Sequence, residues 1–232
     1  MISQPAIEVA RLGGDQPAAL VIIAHGGRAD SVVPAGGFTM TYAWQRWVTP
    51  WVISAARRSG VDQPRSTRSS FALRTPRSEE RYRAGGTRVW RLRYRVRGWN
   101  GAAADAAQDL RWAVRMAAAE LPGVPVILVG HSMGGRAAIY AAGEPNVAAV
   151  CLLAPWIEDG DPVGDLIGKP VLIVHGSADR TTDPRRSRAL ATEVGAQFAA
   201  IDGAGHTMVG GRARWRALIT EFLAKQVATL GA

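Results

Sequence analysis

The ten residues Val126-Ile-Leu-Val-Gly-His-Ser-Met-Gly-Gly135 restrict what this chain can fold into more than any other stretch. Their unbroken apolar, β-branched start reads as a strand covered on both faces, because a strand with one wet face would alternate. The run stops at Gly-x-Ser-x-Gly, and the small, alanine-rich residues that follow favour a helix able to pack close to a sheet. Strand, sharp turn and helix put one side chain, Ser132, at the apex. Gly130 and Gly134 are small for a steric reason, since any side chain there would crowd neighbouring backbone. In a chain with 26 glycines the five-letter pattern alone is weak, so its meaning depends on what the other segments supply.

An apical serine becomes a nucleophile only with a base beside it and an acid that orients the base. Of the four histidines, His131 adjoins the serine and should point away from it. His25 and His175 each end a strand-like run before glycine and read as structural. His206 sits in a loop, Asp-Gly-Ala-Gly-His-Thr, between a short strand and the C-terminal helix, which suits a base. The acid should follow an earlier strand, and Val171-Leu-Ile-Val-His-Gly-Ser-Ala-Asp179 supplies one. Asp183 precedes Pro184 and reads better as a helix N-cap, and Asp202 is close to His206 in sequence. The order Ser132, Asp179, His206 is the one expected after such a turn. A tetrahedral oxyanion needs two backbone donors. Met133 offers one, and the segment Ala19-Leu-Val-Ile-Ile-Ala-His-Gly-Gly27 offers the other at Gly27, with Arg28 as the fallback.

With these pieces assembled, the chain resembles the α/β-hydrolase superfamily of serine hydrolases. The matching motifs are His25-Gly-Gly, Gly130-His-Ser-Met-Gly-Gly, His175-Gly-Ser-Ala-Asp and Gly205-His, spread over residues 19–224 in the family's order. The resemblance implies Ser132 as nucleophile, Asp179 as acid, His206 as base, and Gly27 and Met133 as oxyanion donors. It also implies an enzyme without cofactor that acts on esters, thioesters, amides or occasionally carbon–carbon bonds. One fold and one triad host many chemistries, so the substrate is not chosen by it.

The 232 residues suit one α/β domain over 1–232 with a sheet covered on both sides. A single cysteine, Cys151, rules out an internal disulfide. No Cys/His cluster has zinc spacing and no Gly-rich loop is built to cradle phosphate, so neither metal nor cofactor is expected. No signal peptide or membrane span is visible, which makes a cytoplasmic protein the expectation. The net charge of +9 is local: residues 57–97 hold 13 arginines and three acids. A charge concentrated in one segment argues for a local cause rather than a nucleic-acid partner.

Strands are expected near 19–24, 87–92, 126–130, 147–153, 171–175 and 197–201. Helices are expected near 41–58, 103–120, 134–142, 184–194 and 211–226. This alternation predicts a mainly parallel, doubly wound sheet with helices on both faces and no large cap domain. A hairpin within 5–15 is weakly suggested. The long connection 28–88 contains Trp44, Trp47 and Trp51 at helical spacing, a stripe expected to pack on the sheet, with pocket lining the other reading. Its second half, 59–86, is rich in Arg and Ser and reads as a mobile loop. In Val89–Asn100 apolar residues alternate with arginines, so the strand should end near Leu92 and 93–100 should pass over the strand ends. An acidic residue that relatives carry just before Arg97-Gly98 is missing here, which puts their ion pair at this place in doubt. Arg28, Arg93 and Trp156 are the candidates for the substrate pocket. A small-molecule acyl substrate is the expected partner and carboxylic-ester hydrolysis the leading expectation. A thioesterase or acyltransferase would use the same residues, and an anion- or nucleic-acid-binding protein would use the arginine-rich segment.

Overall fold

The computed structural model describes residues 4–11, 16–35, 40–58 and 86–231. The arginine-rich stretch expected to be mobile, 59–86, lies outside them apart from Gly86. The strands are β1 (Ala6–Arg11), β2 (Ala19–Ala24), β3 (Thr87–Arg93), β4 (Val126–His131), β5 (Val147–Leu153), β6 (Val171–Gly176) and β7 (Gln197–Ile201). The helices are α1 (Met40–Arg58), α2 (Asp105–Glu120), α3 (Met133–Ala141), α4 (Pro184–Val194) and α5 (Arg212–Leu230). The strands form one sheet in the order β1-β3-β2-β4-β5-β6-β7. β1 runs antiparallel to β3, and every other neighbouring pair is parallel.

β2 shows how the sheet separates two apolar layers. Leu20, Ile22 and Ala24 pack with Leu110 of α2 and Ile139 of α3, whereas Val21 and Ile23 pack with Val48 of α1 and Ile219 of α5. Successive strand side chains point to opposite faces, so a continuous apolar run feeds both layers at once. Each such side chain contributes about 1.5–3 kcal/mol on burial. Gln45 joins the second layer to the sheet. Fully buried on α1, it donates through Nε2 to the Ile23 carbonyl at 2.7 Å and the Leu92 carbonyl at 2.9 Å.

Two expectations need correction. The N-terminal strand does not pair within 5–15 among the described residues: β1 pairs with β3, and residues 12–15 lie outside the described set. That partner explains the alternating arginines of β3, because Arg91 forms an ion pair with Glu8 on β1 while Val89, Trp90 and Leu92 are buried. The ion pair doubted beside Arg97-Gly98 exists in a different form. Arg95 takes Asp109 and Asp105 of α2, and its backbone amide donates to Asp109 Oδ2 at 2.8 Å. Two smaller differences follow from local geometry: residues 101–103 form a 3₁₀ turn before α2, and α5 continues to Leu230.

The sheet sets up one working edge. Ala24 is level with Gly130, Leu153 with Val174, and Gly176 with Ile201, so β2 and β4 to β7 end side by side. Open parallel sheets bind ligands outside these carboxyl ends.

Candidate active site

Every sequence-derived candidate for the reaction leaves the sheet at that edge. β4 runs straight into Ser132, whose backbone has φ 55° and ψ −119°, a region that an L side chain rarely adopts. The turn is held by the Ser132 amide on the Leu153 carbonyl at 3.1 Å and by the amides of Gly135 and Trp156 on the Ser132 carbonyl. It closes only because Gly130 and Gly134 lack side chains. A Cβ on Gly130 would collide with the Gly134 carbonyl, and one on Gly134 with the Ala24 carbonyl of β2.

His206, on the loop after β7, places Nε2 3.0 Å from Ser132 Oγ and Nδ1 2.8 Å from Asp179 Oδ2. A carboxylate can only accept, so Nδ1 carries the proton and the bare Nε2 faces the hydroxyl. Asp179 is buried and heavily solvated by the protein. Its Oδ1 accepts from the amides of Thr181 at 2.8 Å and Thr182 at 3.1 Å. Its Oδ2 also lies 3.1 Å from His175 Nε2 and 3.1 Å from Thr182 Oγ1. Burial alone would raise this carboxyl, but the bonds from His175, His206 and the two amides outweigh it and hold it well below the usual carboxylate range.

The other three histidines are occupied. His175 is fully buried, donates to Asp179 and accepts at Nδ1 from the Ser187 hydroxyl at 2.7 Å. It acts on the acid and does not reach the serine. His131 turns away from Ser132, stacks on Trp44 with ring centroids 4.6 Å apart, and reaches the His206 carbonyl through Nε2 at 2.9 Å. Burial is the main cause that pushes His131 down to about 3 and His25 down to about 4. Asp183 caps α4, accepting from the Arg185 amide at 2.8 Å. Asp202 accepts from the Ser177 hydroxyl at 3.0 Å.

For an oxyanion, the two donors singled out in the sequence are free. Among the described residues, the amides of Gly27 and Met133 donate to no protein acceptor, whereas the Arg28 amide is spent on the Arg97 carbonyl at 2.9 Å. Gly27 is packed tightly: a Cβ there would lie 2.5 Å from the Arg97 carbonyl oxygen and inside the Met133 side chain.

The pocket candidates fare unequally. Trp156 adjoins the elbow through its backbone, and its ring covers the Arg136 guanidinium at 4.5 Å, with Trp99 on that guanidinium at 4.3 Å. Arg136 in turn holds Asp161 at 2.9 Å, which ties the loop after β5 to α3. Arg28 and Arg93 are exposed, and among the described residues no hydrogen bond joins either side chain to Ser132, Asp179 or His206. The tryptophan stripe splits: Trp44 and Trp51 are buried against the sheet layer, while Trp47 is 48 % exposed. Sequence reasoning missed Thr182 and Ser187 as supports, and it did not foresee that Trp44 would brace His131 or that its Nε1 would donate to Met208 Sδ at 3.1 Å. The four-residue spacing of His175 and Asp179 was the one available clue.

A family model described as serine aminopeptidase, S33 matches residues 93–167, about a third of the chain, which include Ser132 but neither Asp179 nor His206. No curated protein matches the sequence. Solved structures are similar over nearly the whole length. An alpha-beta serine hydrolase homologue from Coxiella burnetii is 18 % identical with a TM-score of 0.60, over 94 % of this chain and 90 % of that one. An α/β serine hydrolase without lid from Xanthomonas campestris is 16 % identical with a TM-score of 0.59, over 96 % and 88 %. Est1E from Butyrivibrio proteoclasticus, with ferulic acid bound, is 16 % identical with a TM-score of 0.62, over 97 % and 95 %. No described helix is long and apolar enough to cross a membrane. By its sheet order and its likeness to these solved structures, the chain has the α/β-hydrolase fold.

Proposed function

We propose that the chain is a serine hydrolase of small-molecule carboxylic esters. The observation that carries this reading is the unbroken line from Asp179 through His206 to Ser132, with bonds of 2.8 and 3.0 Å. Ser132 Oγ gives its proton to His206 Nε2 as it attacks the ester carbonyl, and Asp179 stabilises the imidazolium that results. The amides of Gly27 and Met133 hold the oxyanion. Collapse expels the alcohol, which takes its proton from His206 and leaves an acyl-serine. Water then gives a proton to His206, attacks the acyl group, and releases the carboxylic acid with Ser132 restored.

Ser132→Ala is expected to lower hydrolysis of p-nitrophenyl acetate by about 10³-fold or more, with an unchanged far-ultraviolet spectrum. A fluorophosphonate should label the native protein at Ser132 alone. Ester turnover that survives in the variant would overturn the reading. The aminopeptidase description of the matched segment favours amides as a second reading. Aminoacyl p-nitroanilides assayed beside the esters separate the two, and acyl transfer to an added alcohol separates hydrolase from transferase.

A further inference from the structure

α1 and α5 pack side by side on one face of the sheet, and their seam opens into a groove of about 520 Å³. Ligand sites commonly measure about 300–1,000 Å³. Trp51 and Arg58 of α1 line it together with Arg212, Arg216 and Thr220 of α5 and two alanines; among the described residues no carboxylate does. Most other arginines that meet a charge here meet an opposite one. Arg91 has Glu8, Arg95 has Asp105 and Asp109, Arg115 has Glu144, and Arg136 has Asp161. Among the described residues no acid pairs with Arg58, Arg212 or Arg216. The Arg212 guanidinium instead rests 5.6 Å from the Trp47 ring. Three like charges gathered in a chain of net charge +9 repel one another unless an anion joins them.

Thr220 supplies an observation independent of charge. A helical threonine ordinarily bonds its hydroxyl to the carbonyl four residues back. Thr49, Thr192 and Thr229 do so, on Gln45, Arg188 and Lys225. Thr220 does not: it is 1 % exposed, its hydroxyl has no partner, and it lines the groove. A buried, unpaired hydroxyl costs stability, and a χ1 rotation that brings it onto a ligand oxygen in the groove would remove that cost.

We propose that the α1–α5 groove binds a phosphomonoester. Three guanidinium forks and one hydroxyl match the three terminal oxygens and double charge of that group better than the two oxygens of a carboxylate. The organic part would lie on Trp51 and the two alanines. The groove uses none of the residues of the serine site.

Calorimetric titration of the full chain with phenyl phosphate, at fixed ionic strength, tests this. Saturable binding of one equivalent is expected, weakened about tenfold or more by Arg216→Gln and by Thr220→Val, while Arg115→Gln binds as the parent does. Ester hydrolysis should be unchanged in Arg216→Gln, which shows that the serine site is intact. Flotation with vesicles containing phosphatidic acid forms the second arm. Binding confined to vesicles and lost in Arg216→Gln identifies a lipid headgroup as the source, and binding of phenyl phosphate identifies a soluble ester. Absence of binding in both arms overturns the proposal. So does a Thr220→Val protein that is more stable than the parent yet binds phenyl phosphate equally well, since the hydroxyl would then be a packing defect alone.

Discussion

Asp179 accepts more hydrogen bonds than any other side chain at the serine site, and that crowding determines how it responds to substitution. Asn in its place keeps the shape but turns one acceptor into an NH2 group facing the donors of His175, His206 and Thr182. The imidazole then loses the partner that fixes its tautomer. Asp179→Asn is expected to lower kcat for p-nitrophenyl esters by about 10⁴-fold, with KM little changed; a drop of less than tenfold would count against a role for this acid. At this scale the sequence was informative where chemistry demands one residue type at a strand end, as at Ser132, Asp179 and His206. It was silent on Thr182 and Ser187, whose hydroxyls matter through the turn that brings them in. It also could not separate Arg93, which stays exposed, from Arg95, which is drawn to Asp109.

α1 shows how an element can hold the sheet and brace the site at once. Its buried Gln45 fills carbonyls of β2 and β3, and the residue before it, Trp44, is also buried and stacks on His131. Replacing the amide with an apolar side chain leaves the Ile23 and Leu92 carbonyls without that donor in a dry interior. Gln45→Leu should therefore lose about 1–3 kcal/mol of stability, read from urea unfolding midpoints; an unchanged midpoint would mean that the two carbonyls find other donors. The apolar runs of β2, β4, β5 and β6 could be read directly, because burial on both faces leaves little choice of residue. β1 could not be placed from its own residues. An edge strand of six residues carries few constraints, and its partner lies about eighty residues further along. The tryptophan stripe revealed an amphipathic helix, but its spacing could not tell which ring would face outward.

For the molecule as a whole, two neutral histidines link folding to pH. The rings of His25 and His131 are pushed down to about 4 and about 3 from 6.5, chiefly by burial. Below pH 6.5 the unfolded chain binds protons that the folded chain refuses until those lower values are reached. Stability is therefore complete above 6.5 and declines as pH falls towards 4 and then 3. Between pH 7.5 and 5 the loss should be about 2 kcal/mol for each ring, seen as a lower urea midpoint; equal midpoints at the two pH values would contradict it. The acid range of the protein is thus narrowed by groups outside the Asp179–His206–Ser132 line. The elbow has a consequence on the same scale. Ser132 occupies a backbone conformation that suits glycine, at a cost of about 1–3 kcal/mol. Ser132→Gly should accordingly melt at a higher temperature than the parent, and higher than Ser132→Ala. On the proposed reading, natural function and maximal durability pull in opposite directions at this one position, and a search for hardier variants that ignores turnover would discard the serine first.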